Sequence, residues 1–286
     1  KNLDLIAIHG QTIYHEERVK SIQIGNPDPL FKYFNIPILH NFRTNDILEK
    51  GTGAPLMPFL DWLLLKDSKK IDITLNIGGI ANLTIVPENG SRDNIVGFDT
   101  GPGMALIDEC CLEFWKRPFD ENGELSRNGI INEYILNYLM RHPFIKENYP
   151  KSTGRDVFGK LMVLDIIKKF NDEKPQNILR TFIAFTINSI SKNLNNIRNF
   201  NPLESSLLLS GGGINHPILM DELKRITKIK QIEKSDILGI HPDYKEALLM
   251  AVLGYTHYFK MPNNMPSVTG AIKKVVLGET YNPNKT

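Results

Sequence analysis

Residues Thr74–Val86 read TLNIGGIANLTIV, so two apolar runs enclose the glycine pair Gly78-Gly79. Apolar runs of this length on either side of a tight glycine turn predict two neighbouring strands. A third apolar run, Ile95–Phe98, leads into the turn Asp99–Gly103 and then into an apolar helix at Met104–Trp115. We therefore predict a three-stranded meander followed by a helix.

A third glycine cluster, Gly211-Gly212-Gly213, follows the short apolar strand Leu207–Leu209 and precedes a helix at Ile218–Ile226. Glycine tolerates positive φ and lets backbone N–H groups approach a ligand that a Cβ would block. N–H groups at such turns favour anions, phosphate above all. One Gly-Gly pair alone would indicate only a hairpin, but three glycine turns with the carboxylate of Asp99 among them indicate a phosphoryl-transfer site.

Strands and helices alternate along the remaining sequence, which predicts an α/β fold. Pro55 is expected in the first turn of an apolar helix. Further strands are predicted at Leu5–Ile8 and Ser21–Ile24, and further helices at Leu56–Leu65, Asn132–Arg141, Val157–Phe170, Asn177–Ile197 and Lys245–Phe259. The polar stretch Asp67–Lys70 is the predicted domain boundary.

Composition excludes several classes of protein. The chain has 286 residues and a net charge of +2, which is too small to indicate nucleic-acid binding. No apolar stretch reaches the length of a membrane span, so no membrane partner is expected. The two cysteines, Cys110 and Cys111, are adjacent within an apolar helix, which favours buried thiols in a reducing cytoplasm over a disulfide or metal pair.

Eight ordered segments between Ile8 and about Gly270 resemble the anhydro-N-acetylmuramic acid kinases, a bacterial cell-wall-recycling family of the actin-like sugar-kinase superfamily. The segments are HGQT (9–12), IQIGNPD (22–28), NFRTNDI (41–47), GTGAPL (51–56), LNIGGIANLT (75–84), GFDTGPG (97–103), KSTGR (151–155) and LSGGG (209–213). The resemblance implies an actin-like ATPase, ribonuclease H-like α/β fold with two lobes. Residues 1–70 and 250–286 would form lobe I on the substrate side, and residues 71–249 would form lobe II with the nucleotide-binding turns. Family members carry a further amino-terminal phosphate turn, so this chain is expected to be a fragment with an incomplete first lobe.

The resemblance also implies a reaction. A cytoplasmic kinase would use ATP and Mg²⁺ to convert 1,6-anhydro-N-acetylmuramic acid to N-acetylmuramic acid 6-phosphate, with a small amino sugar as partner and a homodimer left open. Asp99 would act as the base that activates water for opening of the anhydro ring, and its alternative role is to cap the helix beyond Gly103. The rival function is a non-catalytic nucleotide- or glycan-binding module, or an inactive fragment of this fold.

Binding residues follow from the same matches. Nucleotide contacts are assigned to Gly78, Gly79, Asn82, Gly101, Gly103, Gly211, Gly212 and Gly213. Sugar contacts are assigned to His9, Gly10, Gln11, Thr12, Arg43, Lys151, Ser152, Arg155 and Glu246. Arg43 is expected to clamp the lactyl carboxylate of a muramic acid. For the glycines, the alternatives are a bare hairpin at Gly78-Gly79 and close packing at Gly211–Gly213. For the sugar contacts, the alternatives are a structural role for His9, a surface position for Arg43, helix capping by Ser152 and an exposed helix position for Glu246. His9, His15 and His40 lack zinc-like spacing, so no protein metal ligand is predicted.

Overall fold

The computed structural model describes residues 3–234, 236, 239–241, 244–281 and 283. The chain divides into two compact units. Unit 1 comprises Lys1–Asp67, Asn89–Val96 and Gly239–Thr286, and unit 2 comprises Ser68–Glu88 and Gly97–Leu238. The first segment of unit 1 ends at Asp67, which lies in the polar stretch Asp67–Lys70 between the predicted helix Leu56–Leu65 and the meander. The assignment of substrate and nucleotide roles to separate lobes stays a prediction.

The described residues form strands and helices numbered here in chain order. The strands β1 to β10 are Ile6–Ala7, Gln11–Glu16, Lys20–Ile24, Ile38–His40, Asp72–Ile77, Ile80–Val86, Val96–Pro102, Ser206–Ser210, Gln231–Lys234 and Glu279–Thr280. The α-helices α1 to α11 are Asp28–Phe34, Thr44–Leu48, Met57–Leu65, Ala105–Trp115, Glu133–Leu139, Pro143–Lys146, Lys160–Lys169, Pro175–Asn195, Pro217–Thr227, Lys245–Tyr258 and Pro266–Thr269. Single 3₁₀ turns occur at Arg92–Asn94, Glu121–Gly123 and Gly212–Asn215.

Unit 1 contains a three-stranded sheet and a separate hairpin. In the sheet, β4 lies between β1, to which it runs parallel, and β10, to which it runs antiparallel. The hairpin pairs β2 with β3. Helix α10 packs against α3 and β1, and the buried Lys245 Nζ lies 2.7 Å from Asp61 Oδ1 on α3. Removing either partner would leave a buried charge, so this ion pair fixes α10 on α3.

Unit 2 is built on a five-stranded sheet in the order β7-β6-β5-β8-β9. Strand β5 runs antiparallel to β6 and parallel to β8, and β8 runs parallel to β9. Thr100 Oγ, near the end of β7, donates to Ala81 O at the start of β6, so these two strands are antiparallel. All five residues of β8 are buried, as expected for a strand covered on both faces. Counted along unit 2, the order is 3-2-1-4-5, which is that of a ribonuclease H-like sheet, and the predicted α/β fold class is confirmed.

Several element boundaries differ from the sequence-based predictions. Pro55 was wrongly placed in the first turn of α3, since that helix begins at Met57 and Pro58 occupies the first turn. Strand β7 continues to Pro102, so Asp99 lies within the strand instead of at its end. Helix α7 begins after Gly159, since the preceding residues form turns.

The structure also bears on the cysteines and on membrane-spanning helices. Cys110 and Cys111 are fully buried in α4, as predicted, and burial raises the pKa of the Cys111 thiol to about 12. No helix among the described residues combines the length and the apolarity that crossing a bilayer requires.

Candidate functional site

A cavity of about 530 Å³ lies in unit 2, and two of the predicted glycine turns meet there. Gly78 and Gly79, which follow β5, line it together with Gly212, which follows β8. The remaining lining residues are Ile77, Met104, Asp108, Phe119, Asp120, Glu121, Asn122, Asn215 and His216. Turns that are far apart in the sequence converge because β5 and β8 are parallel neighbours, so their carboxyl ends share one edge of the sheet.

The turn after β7 is held directly against the Gly78-Gly79 turn. Gly103 N donates to Gly79 O at 2.9 Å, and Met104 N donates to Gly78 O at 2.8 Å. A Cβ at Gly103 would overlap the Gly78 carbonyl, so only glycine permits this approach. Gly103 therefore supports the cavity from behind and does not line it.

The three consecutive glycines after β8 have different surroundings. Gly211 has φ 86°, and a Cβ on it would lie 2.7 Å from Ile77 O. A Cβ on Gly213 would overlap the Ile77 side chain. Gly212, in contrast, has nothing within 4 Å of its Cβ position and faces the cavity. Two of the glycines thus permit packing on β5, and the middle one leaves space that a ligand can use.

Two further predicted nucleotide residues lie away from the lining. Asn82 is inside β6, paired in register with Asn76. Gly101 is buried, and a Cβ on it would lie 2.6 Å from Ser189 Oγ on α8, so its position favours a packing role.

The opposite wall of the cavity was not found from the sequence. His216 is buried, its Nε2 donates to Asp120 Oδ2 at 3.1 Å, and its Nδ1 accepts from Leu219 N at the start of α9. Burial alone would raise the pKa of Asp120, but hydrogen bonds from His216, Ser126 and Leu125 lower it instead. The pair forms a fixed polar wall. A histidine directly before Pro217 at a helix start was the available signal.

Asp108, on the first turn of α4, is the carboxylate of the cavity with the most perturbed acidity. Burial raises its pKa to about 6, and the nearby Arg155 opposes that shift. Burial disfavours the charged form of a carboxyl group, and carboxylates with pKa values raised in this way are common at functional sites.

Asp99 is held by the loop that follows α6. Its Oδ2 accepts hydrogen bonds from Ser152 Oγ at 3.1 Å and Thr153 N at 2.9 Å, and its own N–H donates to Lys151 O. It does not cap α4, since the N-cap residue is Met104 and no side-chain cap hydrogen bond is made there. Its alternative role as a helix cap is thereby removed.

The other predicted residues of that loop point in different directions. Lys151 is buried, with its Nζ donating to Phe144 O at 3.1 Å, and burial lowers its pKa. Arg155 is exposed, and its guanidinium lies against Gly79. Ser152 Oγ and Thr153 N are the groups of this loop that donate hydrogen bonds to the Asp99 carboxylate.

Unit 1 brings two predicted sugar residues into direct contact. Arg43 Nε and Nη2 lie 3.2 and 3.0 Å from His9 Nε2, and Arg43 Nη1 donates to Gly53 O at 2.9 Å. His9 Nδ1 donates to Gly10 O, so Nε2 is the acceptor nitrogen. Burial lowers the pKa of His9, and the Arg43 charge lowers it further. The arginine therefore holds a neutral histidine in one tautomer.

Asp46 supports this contact and was also missed. It is buried, and its Oδ2 accepts from Gly53 N, whose carbonyl oxygen receives Arg43. Its Oδ1 accepts from Asn264 Nδ2 and Thr269 Oγ, each at 2.9 Å. Asp46 thus joins three separate segments of unit 1, and no local pattern around it indicates such a role.

A second cavity, of about 470 Å³, lies in unit 1 beside this cluster. His9, Gln23, His40, Asn41 and Thr44 are among its lining residues. The other residues predicted to bind the sugar in unit 1 are not among those lining this cavity. Thr12 Oγ accepts a hydrogen bond from Gln23 Nε2, and Gly10 and Gln11 are exposed. Glu246 is exposed on the first turn of α10.

No group of three or more His, Cys, Asp or Glu side chains suited to a metal ion occurs among residues 3–234, 236, 239–241, 244–281 and 283.

Comparison with known proteins gives one family. The family model described as anhydro-N-acetylmuramic acid kinase matches residues 1–283. The chain is 39% identical to the anhydro-N-acetylmuramic acid kinase of Bacillus thuringiensis subsp. konkukian (strain 97-27), over 99% of this chain and 76% of that protein. It is 38% identical to the protein of the same name from Bacillus cereus (strain Q1), with the same coverage.

Solved structures give weaker similarity. The activator of the 2-hydroxyisocaproyl-CoA dehydratase from Clostridium difficile with bound ADPNP is 12% identical, with a TM-score of 0.42 over 86% of this chain and 91% of that chain. The family match is decisive by itself, and it confirms the predicted kinase function in murein recycling over the non-catalytic rival. The chain belongs to the anhydro-N-acetylmuramic acid kinase family.

Proposed function

We propose that this chain transfers the terminal phosphoryl group of ATP to 1,6-anhydro-N-acetylmuramic acid while water opens the anhydro ring. The observation that carries the proposal is the unit 2 cavity, where Gly78, Gly79 and Gly212 provide accessible backbone at the ends of parallel strands. Such turns suit the phosphates of a nucleotide. The phosphates would lie at Gly78-Gly79, and the adenosine would lie over Gly212 towards Asn215 and His216.

Asp99 is the proposed base. One water oxygen attacks C1 of the sugar and loses a proton to the Asp99 carboxylate, and the bond from C1 to the ring-bridging oxygen breaks. That oxygen, O6, forms a bond to the γ-phosphorus as the bond from the γ-phosphorus to the β-phosphate oxygen breaks, which releases ADP. Hydrogen bonds from Ser152 and Thr153 fix Asp99 Oδ2, so the carboxylate is oriented before substrate arrives.

Mg²⁺ fits the donor set of the unit 2 cavity. This ion commonly binds one or two carboxylates together with substrate phosphates, so a three-ligand protein cluster is not required. Asp108, whose pKa is raised to about 6 by burial, is the residue that would hold it, directly or through water. When bound, the ion neutralises charge on the phosphates.

The sugar is the proposed ligand of the His9–Arg43 cluster in unit 1. The guanidinium of Arg43 already contacts His9 Nε2 and donates to Gly53 O, so it does not offer a free pair of donors to the lactyl carboxylate. Its role in sugar binding is proposed through the positioning of His9. The cytoplasm is the proposed location.

The reaction can be tested by isotope transfer. Purified protein is incubated with ATP, Mg²⁺ and the anhydro sugar in H₂¹⁸O, and products are analysed by mass spectrometry. We expect one ¹⁸O in each sugar phosphate, located at C1, and one ADP formed for each product.

A sugar phosphate that retains its anhydro ring, or ¹⁸O in the phosphoryl group, would contradict the proposed mechanism. Binding of both ligands without any product would contradict the proposed transfer by this chain.

A further inference from the structure

Arg155 lies over the turn that is proposed to bind phosphate. A Cβ added to Gly79 would lie 2.9 Å from both Nε and Nη2 of Arg155, so the guanidinium rests directly on this glycine. Glycine at position 79 therefore does more than form the turn, since it admits the arginine. The contact brings a cation to the same two residues, Gly78 and Gly79, that line the cavity.

The donors of this guanidinium are available to a ligand. Arg155 is exposed, and its side chain makes no hydrogen bond or ion pair with any of the described residues. Its charge interacts with Asp108, which also lines the cavity. A planar guanidinium with free donors binds phosphate oxygens in pairs, which a lysine ammonium does not reproduce.

The same loop also holds Asp99. Ser152 and Thr153 contact the Asp99 carboxylate, and Arg155 follows two residues later on Gly79. A segment of five residues, 151–155, therefore contacts both the proposed base and the proposed phosphate turn.

We propose that Arg155 binds the terminal phosphate of the nucleotide, and not the sugar to which its motif was assigned. The inference rests on the proposed function, since it requires a nucleoside triphosphate in the unit 2 cavity. It assigns discrimination of triphosphate from monophosphate to a residue outside the glycine turns. Gly79 is the position that makes room for this contact.

The test compares nucleotides that differ only in their phosphates. Affinities for a non-hydrolysable ATP analogue, ADP and AMP are measured by calorimetry for the wild-type protein, Arg155→Gln, Arg155→Lys and the control Arg141→Gln. Arg141 is also an exposed arginine of unit 2, away from the cavity lining. We expect Arg155→Gln to weaken the ATP analogue about ten- to a hundredfold, as loss of a charged hydrogen bond does, and to leave AMP within about twofold.

Arg155→Lys should recover part of the lost affinity, and Arg141→Gln should bind every nucleotide as the wild type does. Equal weakening of AMP and the ATP analogue, or a change confined to the sugar KM, would overturn the inference and leave the proposed function intact. A wild-type protein that binds no nucleotide would overturn the proposed function itself.

Discussion

The phosphate-facing part of the candidate site in unit 2 is formed by glycine backbone, whereas the cluster in unit 1 is formed by contacts between side chains. In unit 2, Gly103 N and Met104 N bind carbonyl oxygens of Gly79 and Gly78, and Gly212 leaves open space. In unit 1, the cluster depends on contacts of Arg43 with His9 and on the buried carboxylate of Asp46.

This difference has consequences for substitutions. A backbone site is sensitive to an added Cβ and tolerant of changes in neighbouring side chains. A side-chain cluster is sensitive to the loss of a single donor or acceptor, because each buried polar group then loses its partner. The two sites should therefore fail in different ways.

The largest effect is expected at Asp99, because no backbone group can replace a carboxylate base. Asp99→Asn should lower kcat about 10²–10⁴-fold, since a positioned base is lost. Ser152→Ala should have a smaller effect, because Thr153 N still holds Oδ2. Steady-state kinetics with both substrates measure these changes.

Nucleotide affinity and thermal unfolding of Asp99→Asn serve as controls, and both should match the wild type. A near-normal kcat in a folded Asp99→Asn protein would exclude Asp99 as the base.

A matched pair of glycine substitutions tests the backbone site in unit 2. Gly211→Ala should destabilise the fold by about 1–3 kcal/mol, because its positive φ and its contact with Ile77 O both oppose a Cβ. Gly212→Ala should leave stability unchanged, since no protein atom lies near the new Cβ. It should nevertheless lower nucleotide affinity about tenfold or more if nucleotide lies against this residue.

Thermal unfolding and nucleotide titration of the two variants separate packing from ligand contact. Unchanged nucleotide affinity in Gly212→Ala would show that the open space is not used, and the comparison between the two units would lose its basis.

The smallest predicted effect concerns the side-chain cluster of unit 1. The pKa of His9 is held below 6.5 by burial and by the Arg43 charge, so Arg43→Gln should raise it part of the way back. NMR titration of the His9 ring measures this shift, with His9→Asn used for assignment. The sugar KM should rise about tenfold, while nucleotide affinity stays unchanged.

The sign of the pH effect follows from the same shift. Because the folded protein binds the His9 proton less readily than the unfolded chain, acidification below about pH 6.5 favours unfolding, and Arg43→Gln should reduce that contribution. Arg18→Gln, another exchange of an arginine in unit 1, is the control. An unchanged His9 titration in Arg43→Gln would show that the two side chains are not coupled in solution.

The features that could be predicted from the sequence are those that local pattern specifies. The meander, the buried strand β8 and the glycine turns follow from apolar runs and from the backbone freedom of glycine. Strand β2 was missed because most of its residues are exposed, so no apolar alternation marks it.

Contacts between distant side chains could not be predicted in this way. Arg43 meets His9, and His216 meets Asp120, only after strands and helices have packed. Likewise, the segment that contains Arg155 resembles the family motif, but the motif does not predict that the Arg155 guanidinium lies against Gly79. The missed residues are therefore those whose positions depend on tertiary structure.

The central claim is that the nucleotide lies in the glycine-lined cavity of unit 2. A crystal structure of the protein with a non-hydrolysable ATP analogue tests it most directly. We predict phosphate oxygens within hydrogen-bond distance of the Gly78 and Gly79 amides, with the ribose or base against Gly212. A nucleotide bound outside this cavity, or phosphates placed at His216 and the base at Gly79, would contradict the account.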